Sequence, residues 1–299
     1  MELALGTVQF GLDYGISNQS GRVPSDEVAA ILKTATVTGI SLLDTAPSYG
    51  CSESVLGKQI GEQSNFRIVS KTPVFREAEI GQQQLDKLSA TLNQTVARFN
   101  NRPLYGLLLH HSKDAMKSGG DKLLEAMTGF RESGLVERIG ISVDLVDDID
   151  DLLGHFDFDI IQAPLNVLNQ RLVSEGYVNR LKARNVEIHA RSLFLQGLVF
   201  MDPDQVPPTL KSAAEPLRRL RRLSAELEVD ICTLALAFAA GQPGIDFAVV
   251  GVTMAGELTE IHQALENAIS DRTISSMDFS VLGIDAPHVT TPSSWQFRQ

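Results

Sequence analysis

Four residues of different chemical class stand near the ends of short apolar runs: Asp44, Tyr49, Lys71 and His110. Ile40-Ser41-Leu42-Leu43 leads into Asp44, Phe66-Arg67-Ile68-Val69 runs toward Lys71, and Gly106-Leu107-Leu108-Leu109 leads into His110. A carboxylate, a phenol, an amine and an imidazole gathered on one rim make a proton-transfer set. A free phenol titrates near ~10, so Tyr49 alone is a weak acid at neutral pH. A nearby ammonium favours the phenolate and lowers that value. Lys71 can supply it, with Asp44 paired to the amine to fix its position and limit its desolvation cost. His110 can donate a hydrogen bond to a substrate oxygen. Together these groups would polarise a carbonyl and protonate the alkoxide formed when hydride adds to its carbon. The six histidines include no pair or Cys/His cluster at metal-ligand spacing, so no metal is expected. The hydride donor must then be an organic cofactor.

Strands are expected at 3–7, 40–44, 66–71, 104–110, 138–142, 158–163, 186–191 and 246–251. Helical periodicity lies between them near 25–38, 52–62, 79–99, 120–133, 146–153, 170–184, 212–228, 230–240 and 255–268. Ser25 before Asp26 and Glu27 reads as a capping hydroxyl followed by first-turn acids. Leu85, Leu88, Leu92 and Val96 fall on one helical face. The strands are continuous apolar runs rather than alternating ones, as parallel strands covered on both faces require. Eight such strands, each followed by a helix, predict a single α/β domain over 1–299, a (β/α)₈ barrel whose chemistry sits at the C-terminal strand ends. A doubly wound sheet would want a Gly-x-Gly-x-x-Gly turn after the first strand, where this chain has Gly6-Thr7-Val8-Gln9-Phe10-Gly11. The Pro-containing segment 200–211 reads as a rim loop, and 284–299, with Trp295 and Phe297, as a C-terminal tail over the barrel rim.

The composition narrows the function. A chain of 299 residues that is 43% hydrophobic and 21% charged can bury a full core. A net charge of −11 argues against nucleic-acid or anionic-membrane partners, which need a basic footprint. The two cysteines, Cys51 and Cys232, are too few for a disulfide framework and point to a reducing compartment. No secretory signal or bilayer-length apolar run is visible, so a cytoplasmic protein is expected. No helix face is apolar enough to name an oligomeric contact.

The stretch Gly39-Ile40-Ser41-Leu42-Leu43-Asp44-Thr45-Ala46-Pro47-Ser48-Tyr49-Gly50, continued by Ser52-Glu53 and Leu56-Gly57, resembles a signature of the aldo-keto reductases. Val69-Ser70-Lys71 and Leu108-Leu109-His110 resemble the family's strands carrying the catalytic lysine and histidine. Arg138-Ile139-Gly140-Ile141-Ser142 and Ile161-Gln162-Ala163-Pro164-Leu165-Asn166 are similar to two later family strands. The matches run in order from Gly6 to about Leu265, nearly the whole chain. The resemblance implies a bacterial (β/α)₈ reductase using a nicotinamide dinucleotide, with Tyr49 as general acid/base supported by Lys71, Asp44 and His110. It further implies that Ser142 and Gln162 hold the nicotinamide carboxamide and that Thr7 and Val8 touch the cofactor. Ser192 to Gly197 would form the loop over the pyrophosphate, and Gly251-Val252-Thr253-Met254 the turn at the adenosine phosphate end.

Three positions depart from the pattern. The residue before Ser192 is often a tyrosine stacked on the nicotinamide; here it is Arg191, whose planar guanidinium can also stack. Val143 replaces a common asparagine. The last loop usually offers a cation to the 2′-phosphate of NADP, yet 251–261 contains no basic residue and carries Glu257 and Glu260. NADPH and NADH therefore both stay open as the cofactor.

Plainer readings stand beside these. Of the adjacent histidines, strand alternation lets one face the rim centre; His110 is chosen and His111 reads as a solvated loop residue. Cys51, without a flanking base, reads as a small inert side chain. Glu53 reads equally as a positioning group or a solvated first-turn acid. Arg218, Arg219, Arg221 and Arg222 read as a solvated helix face near acids. The leading function is NAD(P)H-dependent reduction of a small or sugar-like aldehyde or ketone. The alternatives are a cofactor-binding regulatory module of the same fold, and a Schiff-base aldolase with Lys71 as nucleophile.

Overall fold

The computed structural model describes residues 1–16, 18, 20–61 and 64–295. Eight parallel strands close into a barrel in chain order. They are β1 (Glu2–Gly6), β2 (Leu42–Asp44), β3 (Arg67–Lys71), β4 (Leu104–Leu109), β5 (Val136–Ser142), β6 (Ile160–Pro164), β7 (Glu187–Arg191) and β8 (Phe247–Gly251). β1 pairs with both β2 and β8, which removes any free sheet edge. The helices are α1 (Ser25–Val37), α2 (Ser52–Gln59), α3 (Gln82–Arg98), α4 (Gly120–Glu132), α5 (Asp148–His155), α6 (Arg171–Ser174), α7 (Tyr177–Lys182), α8 (Ala214–Leu227), α9 (Ile231–Ala240) and α10 (Ala255–Ser270), with α11 (Arg272–Ser275) and α12 (Pro287–Thr290) after them. The single (β/α)₈ domain expected from the sequence is the fold, and each strand lies within two residues of its expected bounds.

Strand alternation sorts the apolar side chains into two cores. Leu3, Leu5, Leu43, Ile68, Leu107, Ile139, Ile161 and Ile188 join the helices' apolar faces in one large cluster. Leu88, Leu92 and Val96 of α3 are buried in it, as the periodicity requires. The other set, Ala4, Leu42, Val69, Tyr105, Leu108, Ile160 and Phe247, packs as a second cluster. It is the filling of the barrel itself, which makes the interior a packed plug and not a pore. Near it, Glu187 accepts from Tyr105 and Arg138 at 2.7 Å each and contacts Nε2 of the fully buried His189 at 2.7 Å.

Some local expectations change. Ser25 is the first residue of α1, not its cap; Pro24 precedes the helix and the Ser25 hydroxyl accepts from Gln59 Nε2 at 2.8 Å. The expected helix 170–184 splits into α6 and α7 because Gly176 adopts φ 76°, a left-handed conformation that ends one helix before the next. α3 starts at Gln82, since Glu79 pairs with Ser118 instead. In the tail, Pro287–Thr290 is a short helix where none was expected. No helix among the described residues is long and apolar enough to cross a membrane.

Candidate active site

Asp44 ends β2, Lys71 ends β3, Ser142 ends β5, and Gln162 lies in β6 opposite Ser142. Asp44, Lys71 and Gln162 each stand two positions beyond an interior residue of their own strand. The in-facing row therefore continues upward from Leu42, Val69 and Ile160 into polar groups at the C-terminal rim. Lys71 Nζ donates to Asp44 Oδ1 at 2.7 Å and to the Thr45 carbonyl at 3.1 Å. Gln162 Nε2 donates to the same Asp44 oxygen at 2.7 Å. Lys71 and Asp44 are 2% and 4% exposed, so this ion pair lies in the protein interior with its hydrogen bonds made.

Tyr49 is carried by the β2–α2 loop, and its ring lies 5.0 Å from Lys71 Nζ. Three buried hydroxyls lock that loop. Ser52 Oγ donates to the Thr7 carbonyl at 2.8 Å, Thr7 Oγ1 donates to the Asp44 carbonyl at 2.9 Å, and Thr45 Oγ1 meets Ser52 Oγ at 3.2 Å. Glu53 fastens α2 from behind, accepting from Ser70 at 2.8 Å, Thr95 at 3.1 Å and Arg98 at 2.6 Å. It is a buried positioning group, which decides between its two sequence readings. Gly11 sets the closeness of the loop, because a Cβ there would stand 1.8 Å from the Tyr49 carbonyl oxygen. Gly11→Ala is expected to cost about 1–3 kcal/mol of stability, the usual price of overpacking, and to lower turnover by displacing Tyr49. Urea denaturation and kcat measured on the same preparation check both effects.

Burial, the largest influence, pushes the Tyr49 phenol above its ordinary range; Lys71 draws it back only in part, and Asp44 adds to the rise. The expected depression by Lys71 is thus outweighed by desolvation, and Tyr49 holds its proton. Burial pulls the Lys71 ammonium down, but Asp44 and Tyr49 outweigh it and leave it raised. His110 follows β4 directly, its ring 6.0 Å from that of Tyr49 and nearly perpendicular to it, with Nδ1 at 3.4 Å from Ser48 Oγ. Burial, then Lys71, His111 and Arg191, lower its imidazole to about 3. It is therefore neutral at working pH. Accepting from Ser48 at Nδ1 would leave the proton on Nε2, free to be donated.

These four residues line one cavity of about 1170 Å³, above the ~300–1,000 Å³ of an ordinary ligand pocket. Thr7, Val8, Ser142, Gln162, Arg191 and Ser192 line it as well, as do Gly197, Gly251 and Thr253. The catalytic and cofactor-contacting residues expected from the sequence thus all line one cavity. Thr7 nevertheless has its hydroxyl committed to the frame described above, and Arg191 is not free to swing. Its guanidinium donates to the Val143 carbonyl at 2.8 Å, to Asp144 at 2.5 Å and to Ser192 Oγ at 3.2 Å. The loop after β7 holds Ser192, Leu195 and Gln196 at φ 61°, 46° and 54°, a cost that non-glycine residues bear mainly at functional sites.

Other lining residues carried no signal that sequence spacing could reveal. Tyr14, in the loop after β1, accepts from Gln196 Nε2 at 3.0 Å, joining the β1 and β7 loops at the cavity. Asp144 binds both Arg191 and Ser293, whose hydroxyl donates at 3.1 Å, so the tail is pinned to the rim by its Ser293. His111 is an exposed loop residue, as read, and it also lines the cavity, because β4 ends at Leu109 and alternation no longer applies past it. Trp295 does not line the cavity; it packs on the large apolar cluster and donates from Nε1 to the Val289 carbonyl at 3.0 Å. Phe297 lies outside the described residues. Cys51, expected to have no basic neighbour, has Arg22 Nη1 at 3.4 Å from its sulfur, brought there by the fold. Arg218, Arg219 and Arg222 face solvent, paired to Glu215 or Asp204, whereas Arg221 is half-buried and donates to the Phe200 carbonyl at 2.9 Å. Among the described residues no group of three or more His, Cys, Asp or Glu side chains could hold a metal ion.

A sequence model of the Aldo/keto reductase family matches residues 2–281. The chain is 23% identical over 294 residues to Aldo-keto reductase YhdN of Bacillus subtilis, covering 83% of this chain and 86% of that one. Its fold is similar to that of an aldo-keto reductase from Bacillus halodurans solved in its holo form, with a TM-score of 0.75, 18% identity, and 95% and 93% of the two chains covered. It is also similar to the glycerol dehydrogenase of Gluconobacter oxydans, with a TM-score of 0.66, 17% identity, and coverage of 92% and 93%.

Proposed function

The chain belongs to the aldo/keto reductase family of NAD(P)-dependent oxidoreductases, and on that premise we propose that it reduces an aldehyde or ketone to the alcohol with Tyr49 as proton donor. The observation that carries this reading is the large cavity with Asp44, Tyr49, Lys71 and His110 grouped on its wall. A nicotinamide dinucleotide fits the donor set. Gln162 gives an amide hydrogen to Asp44 and would offer its carbonyl oxygen to a carboxamide, beside Ser142. Gly251 leaves room against Gln9, whose Oε1 is buried without a partner. The strained β7 loop and the turn after β8 occupy the barrel's usual phosphate position. When bound, the reduced nicotinamide supplies hydride.

The protein's own residues do the rest. His110 Nε2 and the Tyr49 hydroxyl converge on the substrate oxygen and polarise the carbonyl. As negative charge grows on that oxygen, the Tyr49 proton moves onto it, and the phenolate left behind is stabilised by the Lys71 ammonium. Asp44 and Gln162 hold Lys71 in place. The Schiff-base reading loses its footing here, because a buried, ion-paired, raised ammonium retains its proton and is not a nucleophile. Tyr14, His111, Asp144 and Ser293 bring polar groups to the substrate side, which supports a hydroxylated, sugar-like carbonyl.

The proposal is tested by following NADH and NADPH consumption over aldoses, keto sugars and simple aldehydes. Tight cofactor binding with no turnover across that panel would favour the regulatory module instead. The pH profile is a second check. The proton donor has a raised phenol, protonated throughout the neutral range, and the neutral His110 does not titrate until about 3. Reductive kcat/KM is therefore expected to stay level from about pH 5 to 9, falling only where the phenol ionises, above its ordinary ~10. Alcohol oxidation, which needs the phenolate, should rise with pH over the alkaline range. A reductive profile that breaks near pH 6.5 would reassign the donor to a histidine.

A further inference from the structure

Away from the catalytic tetrad, the cavity runs along the end of β8 and the first turns of α10, with the start of α9 beside it. A helix N-terminus with open amides attracts phosphate. This one is already occupied from within the protein. Glu257 Oε2 accepts from the Thr253 amide at 2.6 Å and the Met254 amide at 3.4 Å. Glu27, reaching across from α1, accepts from the Ala255 amide at 2.7 Å. The three successive donors thus point at carboxylates.

No lysine or arginine among the described residues is ion-paired to Glu27 or Glu257. Among the described residues lining the cavity, the only lysine and arginine are Lys71 and Arg191; both sit at the tetrad end and both are ion-paired. This arm instead adds Asp230 and Glu260. Cys232 lies beside them, its thiol pushed up to about 12 chiefly by burial, with Asp230 and Glu260 adding to the rise.

We infer that Glu27 and Glu257 make this enzyme select NADH over NADPH, by filling the α10 N-terminus with negative charge where the adenosine ribose of the cofactor docks. The inference rests on the cofactor reading of the cavity given above. A ribose 2′-hydroxyl can donate to a carboxylate, and a carboxylate has about four acceptor sites to share. A 2′-phosphate can only be repelled by it, and finds the Thr253, Met254 and Ala255 amides already taken and no lysine or arginine among the described residues lining this arm. The same contrast between an acid for the ribose hydroxyl and an arginine for the phosphate governs dinucleotide choice on other folds.

The test titrates the purified protein with NADH and NADPH in parallel, read by cofactor fluorescence and not by activity. NADH is expected to bind at least about tenfold tighter, a difference of roughly 1.4 kcal/mol, and the gap should narrow with added salt as the repulsion is screened. Glu27→Gln combined with Glu257→Gln keeps acceptor oxygens on the amides while removing the charge. It is expected to bring the two affinities within about threefold, chiefly by tightening NADPH. Circular dichroism verifies that the pair folds, and Glu257→Gln alone should move the ratio in the same direction. NADPH binding as tightly as NADH to the unaltered protein, or a ratio unmoved by a folded variant, overturns the inference and leaves the cofactor reading intact. Failure of both dinucleotides to bind overturns the cofactor reading and the inference with it.

Discussion

Tyr49→Phe is expected to lower kcat for carbonyl reduction by about 10²–10⁴-fold, the range that a positioned proton donor contributes, while the affinity for cofactor stays unchanged. The substitution removes one oxygen and leaves the ring between Lys71 and His110, so the cavity keeps its shape. At 1.36 kcal/mol per tenfold, the loss amounts to roughly 3–5 kcal/mol of transition-state stabilisation. It should fall on kcat and kcat/KM alike, since the hydroxyl's proton is transferred only as the alkoxide forms. Stopped-flow kinetics with a fluorescence titration of the same variant separates turnover from binding. Turnover within about threefold of the unaltered enzyme would show that the proton comes from water or from His110, and the assignment of Tyr49 would fail.

Lys71→Met should damage stability and activity together. The Lys71–Asp44 pair is 2.7 Å long, with side-chain exposures of 1% and 6%. Removing only the ammonium leaves a buried carboxylate with Gln162 as its remaining side-chain donor. Breaking a buried pair in this way costs about 3–5 kcal/mol, most of it the penalty of the orphaned charge. Asp44→Asn added to Lys71→Met removes that charge and should recover most of the lost stability, so the two effects are strongly non-additive. Turnover should not recover, because the phenolate that forms at Tyr49 still lacks its neighbouring cation. Urea unfolding of the two single variants and the double variant gives the coupling. Equal stability of Lys71→Met and the unaltered protein would show that water enters the site and that the pair is not dry.

Much of the barrel was legible in the residue pattern. Continuous apolar runs at regular intervals, each followed by a helical period, leave few ways to bury both faces of every strand, and the closed parallel barrel is the one adopted. Asp44, Lys71 and His110 were legible for the same reason: a polar group ending an apolar run stands at a strand end, and in a barrel all strand ends share a rim. What the pattern missed fell where that periodicity stops. Past Leu109 the alternation that separated His110 from His111 no longer holds. Gly176 divides a segment whose apolar spacing runs on unbroken. Arg22 beside Cys51, Ser293 on Asp144 and Gln196 on Tyr14 join positions far apart in the chain, through loops that carry no periodic signal.

The sequence by itself determined the fold, the chemical classes at the rim and the lack of a basic residue in 251–261, because these depend on composition and on spacing within single elements. Only the tertiary structure decided the protonation of Tyr49, where desolvation competes with Lys71, and the charge at the start of α10, where Glu27 arrives from α1 to join Glu257. Both depend on burial and on distances between separate elements. Electrostatic energy at short range is set by those quantities, and a linear pattern does not contain them.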